Sequence, residues 1–305
     1  MRRRLFALLL PLTMLAGCGS GAGAEDGKFA VVTAFYPLQF LSERIGGDQV
    51  SVSNLTKPGA EPHDIELTPR QVGDVAGAGL VVYLKGFQPA VDEAVAQEGE
   101  DHAFDAASVV TLLPASEDDD HAGEEHEHET AEGGMDPHVW LDPVRFATIA
   151  DKLGERLGQA DPAHAADFTA RAAALHAELD KLNTEYATSL KTCERRELVT
   201  SHEAFHYLAD RYDLTEVGIT GISPEAEPSP QRLAEVAETA KTTGTTTIFF
   251  ETLVSPAVAE TIAREVGAKT AVLDPLEGLT DSSHDYFSVM RANLTAITTA
   301  LGCTA

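Results

Sequence analysis

Four short segments carry the residues that could do chemistry. They are Pro58-Gly-Ala-Glu-Pro-His63, Asp136-Pro-His138-Val-Trp140, Thr200-Ser-His202-Glu203 and Val272-Leu-Asp274-Pro-Leu276. They recur at wide intervals, and most follow an apolar stretch. Taken singly, each has an ordinary structural reading: Asp64 and Asp142 suit helix caps, Asp274 before Pro275 suits a turn, and a lone histidine after a strand is more often a hydrogen-bonded structural residue. Taken together, the neutral imidazoles of His63, His138 and His202 and the carboxylate of Asp274 make a complete four-coordinate first shell for a small divalent cation. Zinc is the most natural candidate. Four protein ligands leave no position open for a reacting water, which separates binding from metal-assisted hydrolysis.

A competing pattern overlaps the third segment. His202-Glu203-Ala204-Phe205-His206 matches the His-Glu-x-x-His signature of zinc metalloproteases, where both histidines must share one helix face and the glutamate acts as general base. The context argues against it. His202 follows directly on an apolar run ending at Thr200, with Ser201 at the expected helix cap, so it belongs to a strand-to-helix turn. Such a turn faces the crevice at the carboxyl edge of an open sheet, where α/β proteins bind ligands. His206 then falls one turn further on, as a packing or solvated residue.

The elements that must position these groups read as alternating strands and helices. Buried strands are expected at Phe29–Ala34, Val50–Leu55 and Leu80–Leu84, with helical crossovers at Thr68–Ala76 and Ala90–Gln97. In the second half the strands fall at Glu197–Ser201, Leu214–Ile219, Thr247–Glu251 and Thr270–Leu273, and helices begin near Ala204, Ser229 and Ser255. The alternation predicts an α/β fold of two lobes, each a parallel-rich sheet flanked by helices. Between them, Phe168, Ala172, Leu175, Leu179, Leu182, Tyr186 and Leu190 step by three or four and mark one apolar face of a long helix over Pro162–Lys191. Asp161 is placed to cap it and Pro162 suits its first turn. At 1.5 Å per residue it would run about 45 Å as a strut joining the lobes.

The N-terminus reads as a secretion signal over residues 1–17. Arg2, Arg3 and Arg4 precede an apolar run that is too short to span a bilayer, and Leu15-Ala16-Gly17-Cys18 looks like a bacterial lipobox that would lipidate Cys18. Residues 18–28 then form a flexible tether, 29–160 an N-terminal lobe, 161–192 the linking helix and 193–305 a C-terminal lobe. In an exported chain the remaining Cys193 and Cys303 are expected to form a disulfide, closing a loop of about 110 residues. The formal charge of −27 becomes −30 once the three signal arginines are removed, which argues against nucleic acid and anionic lipid headgroups as partners and favours a cationic ligand. Residues 116–136 hold ten acidic side chains together with His121, His126 and His128, and read as a disordered loop able to collect metal weakly.

The segments Gly59-Ala-Glu-Pro-His-Asp64, Asp136-Pro-His-Val-Trp-Leu-Asp-Pro143, Thr200-Ser-His-Glu-Ala-Phe205 and Leu273-Asp-Pro-Leu-Glu277 resemble those of the zinc-binding solute receptors of bacterial ABC importers, the cluster A-I receptors. The resemblance covers essentially the whole chain after the signal. It implies one Zn2+ held in a cleft by His63, His138, His202 and Asp274, in a periplasmic-binding-protein-like fold of two α/β lobes on a rigid helix. It implies a monomer that delivers zinc to a permease and ATPase complex without catalysing a reaction, on the outer face of the cell membrane. Related manganese receptors usually place a glutamate at the third position. His202 stands there instead, and imidazole suits zinc whereas oxygen-rich sites suit manganese. A manganese receptor, a surface adhesin on the same fold and a zinc-dependent protease built on His202 and His206 are the rival readings.

Overall fold

The computed structural model describes residues 27–115 and 134–304. The lipobox at Cys18, most of the tether and the loop histidines His121, His126 and His128 lie outside the described residues.

In the first lobe, β1 (Phe29–Thr33) leads into α1 (Tyr36–Gly46), β2 (Val50–Asn54), α2 (Pro69–Gly77), β3 (Leu80–Tyr83), α3 (Pro89–Ala94) and β4 (Ala103–Asp105). All pair in parallel, in the order β2-β1-β3-β4, with Val31 beside Val52 on one flank and beside Leu80 on the other. Both faces of this sheet are covered, so its central strand β3 reads as an unbroken apolar run in which Leu80, Val81 and Val82 are fully buried. Local signals set the crossovers. Thr68 and Gln71 close a reciprocal capping box at the start of α2, with Pro69 at the first helical position. Past Ala94, α3 widens into a π turn over Val95–Gly99.

A helical hairpin follows. Asp142 caps α4 (Pro143–Ala160) by accepting from the Val144 amide. The chain turns through a 3₁₀ segment at Pro162–His164 into α5 (Ala165–Ser189). Phe168, Ala172, Leu175, Leu179, Leu182 and Tyr186 line the buried face of α5 as their spacing predicts. Two expectations need correction. The straight part of the strut is shorter, about 37 Å for its 25 residues, because Pro162–His164 winds as 3₁₀. Asp161 does not cap it; its carboxylate takes His164 Nδ1 at 2.6 Å instead. Helix α4 packs along α5 so closely that a Cβ at Gly154 would stand 2.7 Å from that of Ala172.

The second lobe repeats the plan of the first: β5 (Glu197–Thr200), α6 (His206–Tyr212), β6 (Thr215–Gly218), α7 (Pro230–Thr242), β7 (Thr247–Phe250), α8 (Ala257–Val266), β8 (Lys269–Val272) and α9 (Tyr286–Leu301). Its strands are again all parallel, in the order β6-β5-β7-β8. The predicted two-lobed α/β architecture with a long connecting helix is therefore the architecture observed. Cys193 and Cys303 are joined in a disulfide that ties the end of the chain to the start of this lobe. The strut touches both halves: Arg44 of α1 pairs with Glu178, while Arg291 of α9 pairs with Glu185 and the Tyr186 hydroxyl donates to the Met290 carbonyl.

Candidate metal centre

The ligand-bearing segments meet between the lobes. His63 lies on the connection from β2 to α2, and His138 on the segment entering α4. His202 comes two residues after β5, in a bend and not a helix, because α6 begins only at His206. The fourth group is Glu277, five residues beyond β8. One donor atom from each of His63, His138, His202 and Glu277 lies within 4.8 Å of all the others, and all four residues are buried.

Glu277 Oε1 is the focus of this set. His63 Nε2 stands 3.3 Å from it, and His138 Nε2 and His202 Nε2 each 3.2 Å. A single carboxylate oxygen cannot satisfy three imidazoles with good geometry. His138 Nε2 and the second oxygen, Glu277 Oε2, have no hydrogen-bond partner among the described residues. Fully buried polar atoms left in that state are costly and call for an explanation. A four-coordinate zinc with donors at about 2.1 Å requires its ligand atoms to be about 3.4 Å apart, close to the carboxylate–imidazole spacings here.

Carboxylates behind the rings orient them. Asp136 Oδ1 accepts from His138 Nδ1 at 2.8 Å and also from the His138 amide. Glu251 Oε1 accepts from His202 Nδ1 at 2.7 Å. In both histidines this directs Nε2 inward, the arrangement that fixes tautomer and raises ligand basicity at metal sites. His63 is set by its own loop: its amide donates to Glu61, and Gln88 holds the preceding Pro62 carbonyl at 3.0 Å. The Phe87 ring meets the His63 imidazole edge-on, 4.6 Å between centroids.

The electrostatics follow from burial and these partners. Burial pulls the His63 imidazole below its ordinary range despite Glu277. Burial acts the same way on His138, but the charges of Asp136 and Glu277 outweigh it and push that pKa up to about 9. His202 is likewise lifted well above its usual value, by Glu277 and Glu251 against desolvation. Glu277 is desolvated too, yet the surrounding histidines hold it well below the ordinary carboxylate range. The shifts of His138, His202 and Glu277 all favour a negative carboxylate beside protonated rings, whereas holding a metal requires neutral imidazoles.

Asp274, the carboxylate singled out in the sequence, is not in the cluster. Its Oδ1 accepts from the Leu276 amide at 2.8 Å and its Oδ2 from the Thr252 hydroxyl at 3.2 Å, so both oxygens are turned into the loop. It is the turn residue of an Asx motif, the ordinary reading of an aspartate before proline. The chain then passes through Leu276 at φ 61°, a left-handed conformation uncommon for leucine, and this presents Glu277 to the histidines. The Asp-Pro-Leu-Glu stretch is conspicuous in the sequence, but it is its last residue, and not Asp274, that reaches the histidines. His206 is also outside the cluster: its Nδ1 lies 3.5 Å from Asp136 Oδ2 at a half-exposed position, so the two histidines of the protease-like motif do not converge.

Two α/β lobes on a helical strut, with three histidines and a carboxylate converging between them, define a metal-binding receptor fold. The chain belongs to the ZnuA family, described as zinc-uptake complex component A, periplasmic, whose model matches residues 31–300. It is 36% identical to the zinc-binding lipoprotein AdcA of Streptococcus pneumoniae over 96% of its own length and 59% of the relative's. It is 35% identical to the high-affinity zinc uptake system protein ZnuA of Bacillus subtilis over 97% of both chains. The chain thus spans a little over half the length of its AdcA relatives. Among solved structures, a laminin-binding protein of Streptococcus agalactiae, described as bifunctional with adhesin and metal-transporting activity, aligns with a TM-score of 0.79 at 32% identity, covering 90% of this chain and 99% of that one. Zn(II)-bound AdcA of S. pneumoniae aligns at 0.75 and 34% identity, covering 90% of this chain and 58% of that one.

Proposed function

We propose that this protein captures Zn2+ outside the cytoplasm and passes it to an ABC permease and ATPase, with His63, His138, His202 and Glu277 as the ligands. The observation that carries the reading is the convergence of three buried imidazole Nε2 atoms on one buried carboxylate oxygen at 3.2–3.3 Å. The zinc-binding names of its relatives point the same way. Four protein donors fill a tetrahedral shell, so the site is built to hold an ion and not to activate water. The protein is a binder and not an enzyme. Zinc is preferred over manganese because three of the four donors are nitrogens. A cavity of about 830 Å³ bordered by Tyr36, Lys57, Glu277 and Asp285 adjoins the centre on the Glu277 side.

Lipid on Cys18 would hold a monomer at the outer face of the cell membrane, and His121, His126 and His128 would gather zinc at low affinity. An additional adhesin role is suggested solely by the structural likeness to the S. agalactiae protein described as bifunctional. The test of the main reading is a zinc titration of the purified protein and of its His63→Ala, His138→Ala and His202→Ala variants. One tight site in the parent and a loss of at least a hundredfold in each variant are expected. Unchanged affinity in any one of the three would remove that residue from the site, and no tight site in the parent would defeat the proposal.

A further inference from the structure

The single tryptophan of the chain stands where the two lobes' ligand segments cross. Trp140 is 1% exposed and lies two residues after His138. Its indole Nε1 donates at 2.7 Å to the carbonyl of Pro275, two residues before Glu277. The Trp140 carbonyl in turn accepts from the Tyr286 hydroxyl at 2.7 Å, so the backbone that carries the ring is held from the far lobe as well. Phe35 and Phe87 close on the indole at centroid separations of 4.8 and 5.3 Å, and the His138 ring lies 5.3 Å away.

The segment that receives this bond needs fixing. Leu276, between the Pro275 carbonyl and Glu277, holds φ at 61° against the usual preference of a leucine. Asp274 and Asn293 secure the near end of the turn: Asp274 accepts from Leu276, and Asn293 exchanges two hydrogen bonds with the Asp274 backbone. The Leu276 amide held by Asp274 belongs to the same peptide as the Pro275 carbonyl, so those contacts tie that peptide within its own loop, whereas the Trp140–Pro275 bond ties it to the segment that carries His138.

Resting on the reading of Glu277 as a zinc ligand, we propose that Trp140 is a positioning residue for that carboxylate. Its indole N–H fixes the Asp274–Glu277 arm at the spacing a four-coordinate ion needs, and it thereby sets the preference for zinc over metals that take more oxygen donors. Without the bond the arm would relax, and the carboxylate would be free to shift or to admit water. Either change loosens a tetrahedral shell and favours manganese-like coordination.

Trp140→Phe tests this, since it keeps an aromatic ring in the pocket and removes the N–H. Losing a partner that orients a ligand typically costs 10- to 100-fold in metal affinity, so the zinc Kd should rise by about that factor and the zinc-to-manganese affinity ratio should fall. In the Co2+-substituted protein, the intense visible bands of four-coordination should weaken. The same substitution in a Glu277→Gln background should then have little further effect, because both changes act through one carboxylate. An unchanged Kd and cobalt spectrum in Trp140→Phe would overturn the proposal. So would a full, additive loss in the double variant, which would mark Trp140 as a packing residue only. If Trp140→Phe fails to fold, replacing the single tryptophan by benzothienylalanine, which keeps the bicyclic ring and lacks the N–H, supplies the comparison: the same rise in zinc Kd is expected, and an unchanged Kd would overturn the proposal. Failure of the parent to bind zinc would instead defeat the functional reading on which this rests.

Discussion

Zinc should drive protons out of the site, and the number can be worked from the structure. In the metal-free centre His138 is held up to about 9 and His202 well above its ordinary value, while His63 is depressed and Glu277 is held low. These directions favour a proton on His138 and on His202, a neutral His63 and an ionised Glu277 near neutral pH. All three nitrogens must be neutral to bind zinc, so each ion displaces about two protons. Each displaced proton makes the apparent affinity change about tenfold per pH unit, so zinc should bind about 100-fold more tightly at pH 7.5 than at 6.5. The dependence should continue up to about pH 9, whereas unperturbed histidines would level off near 6.5. The assay is calorimetric titration in buffers of different ionisation enthalpy, which yields the proton count directly. Release of no protons at pH 7.5, or an affinity flat between pH 6.5 and 8.5, would refute the reasoning.

Further consequences can be checked alongside. The metal-free protein gains stability from His138, whose folded pKa of about 9 exceeds the ordinary 6.5. That contribution, at most ~3 kcal/mol, is complete below pH 6.5 and is lost as pH rises through 9, so denaturant midpoints of the apo form should fall across this window. Zinc at a thousandfold excess over its Kd should add about 4 kcal/mol and raise the melting temperature, most visibly at high pH. His202→Ala should abolish tight binding, whereas deleting residues 116–133 or replacing His206 by Ala should change the zinc Kd by less than threefold; equal losses would reverse the roles of cleft and loop. Reducing the Cys193–Cys303 disulfide, which spans 110 residues, should cost about 4–5 kcal/mol in unfolding free energy without altering zinc affinity.

The lobes were legible because their central strands are buried on both faces and read as apolar runs, as at Leu80–Tyr83 and Thr247–Phe250. β4, at Ala103–Asp105, is too short to carry a pattern. The strut showed itself through the spacing from Phe168 to Tyr186, but its hairpin partner α4 was passed over, although Phe146, Ile149, Ala150, Leu153 and Leu157 mark an apolar stripe of the same kind. His63, His138 and His202 stood out because histidines in short motifs after strands are conspicuous. Glu277 did not, because what brings it inward is the left-handed Leu276 and the indole of Trp140 arriving from the other lobe. Neither is visible in a local pattern, and Asp274, in the place a ligand would be sought, is consumed by its own turn.

A crystal of the zinc complex measured at the zinc absorption edge tests the ligand set most directly. The anomalous peak should lie about 2.1 Å from His63 Nε2, His138 Nε2, His202 Nε2 and a carboxylate oxygen of Glu277. A zinc ion bound through Asp274, or one bridging His202 and His206, would contradict it.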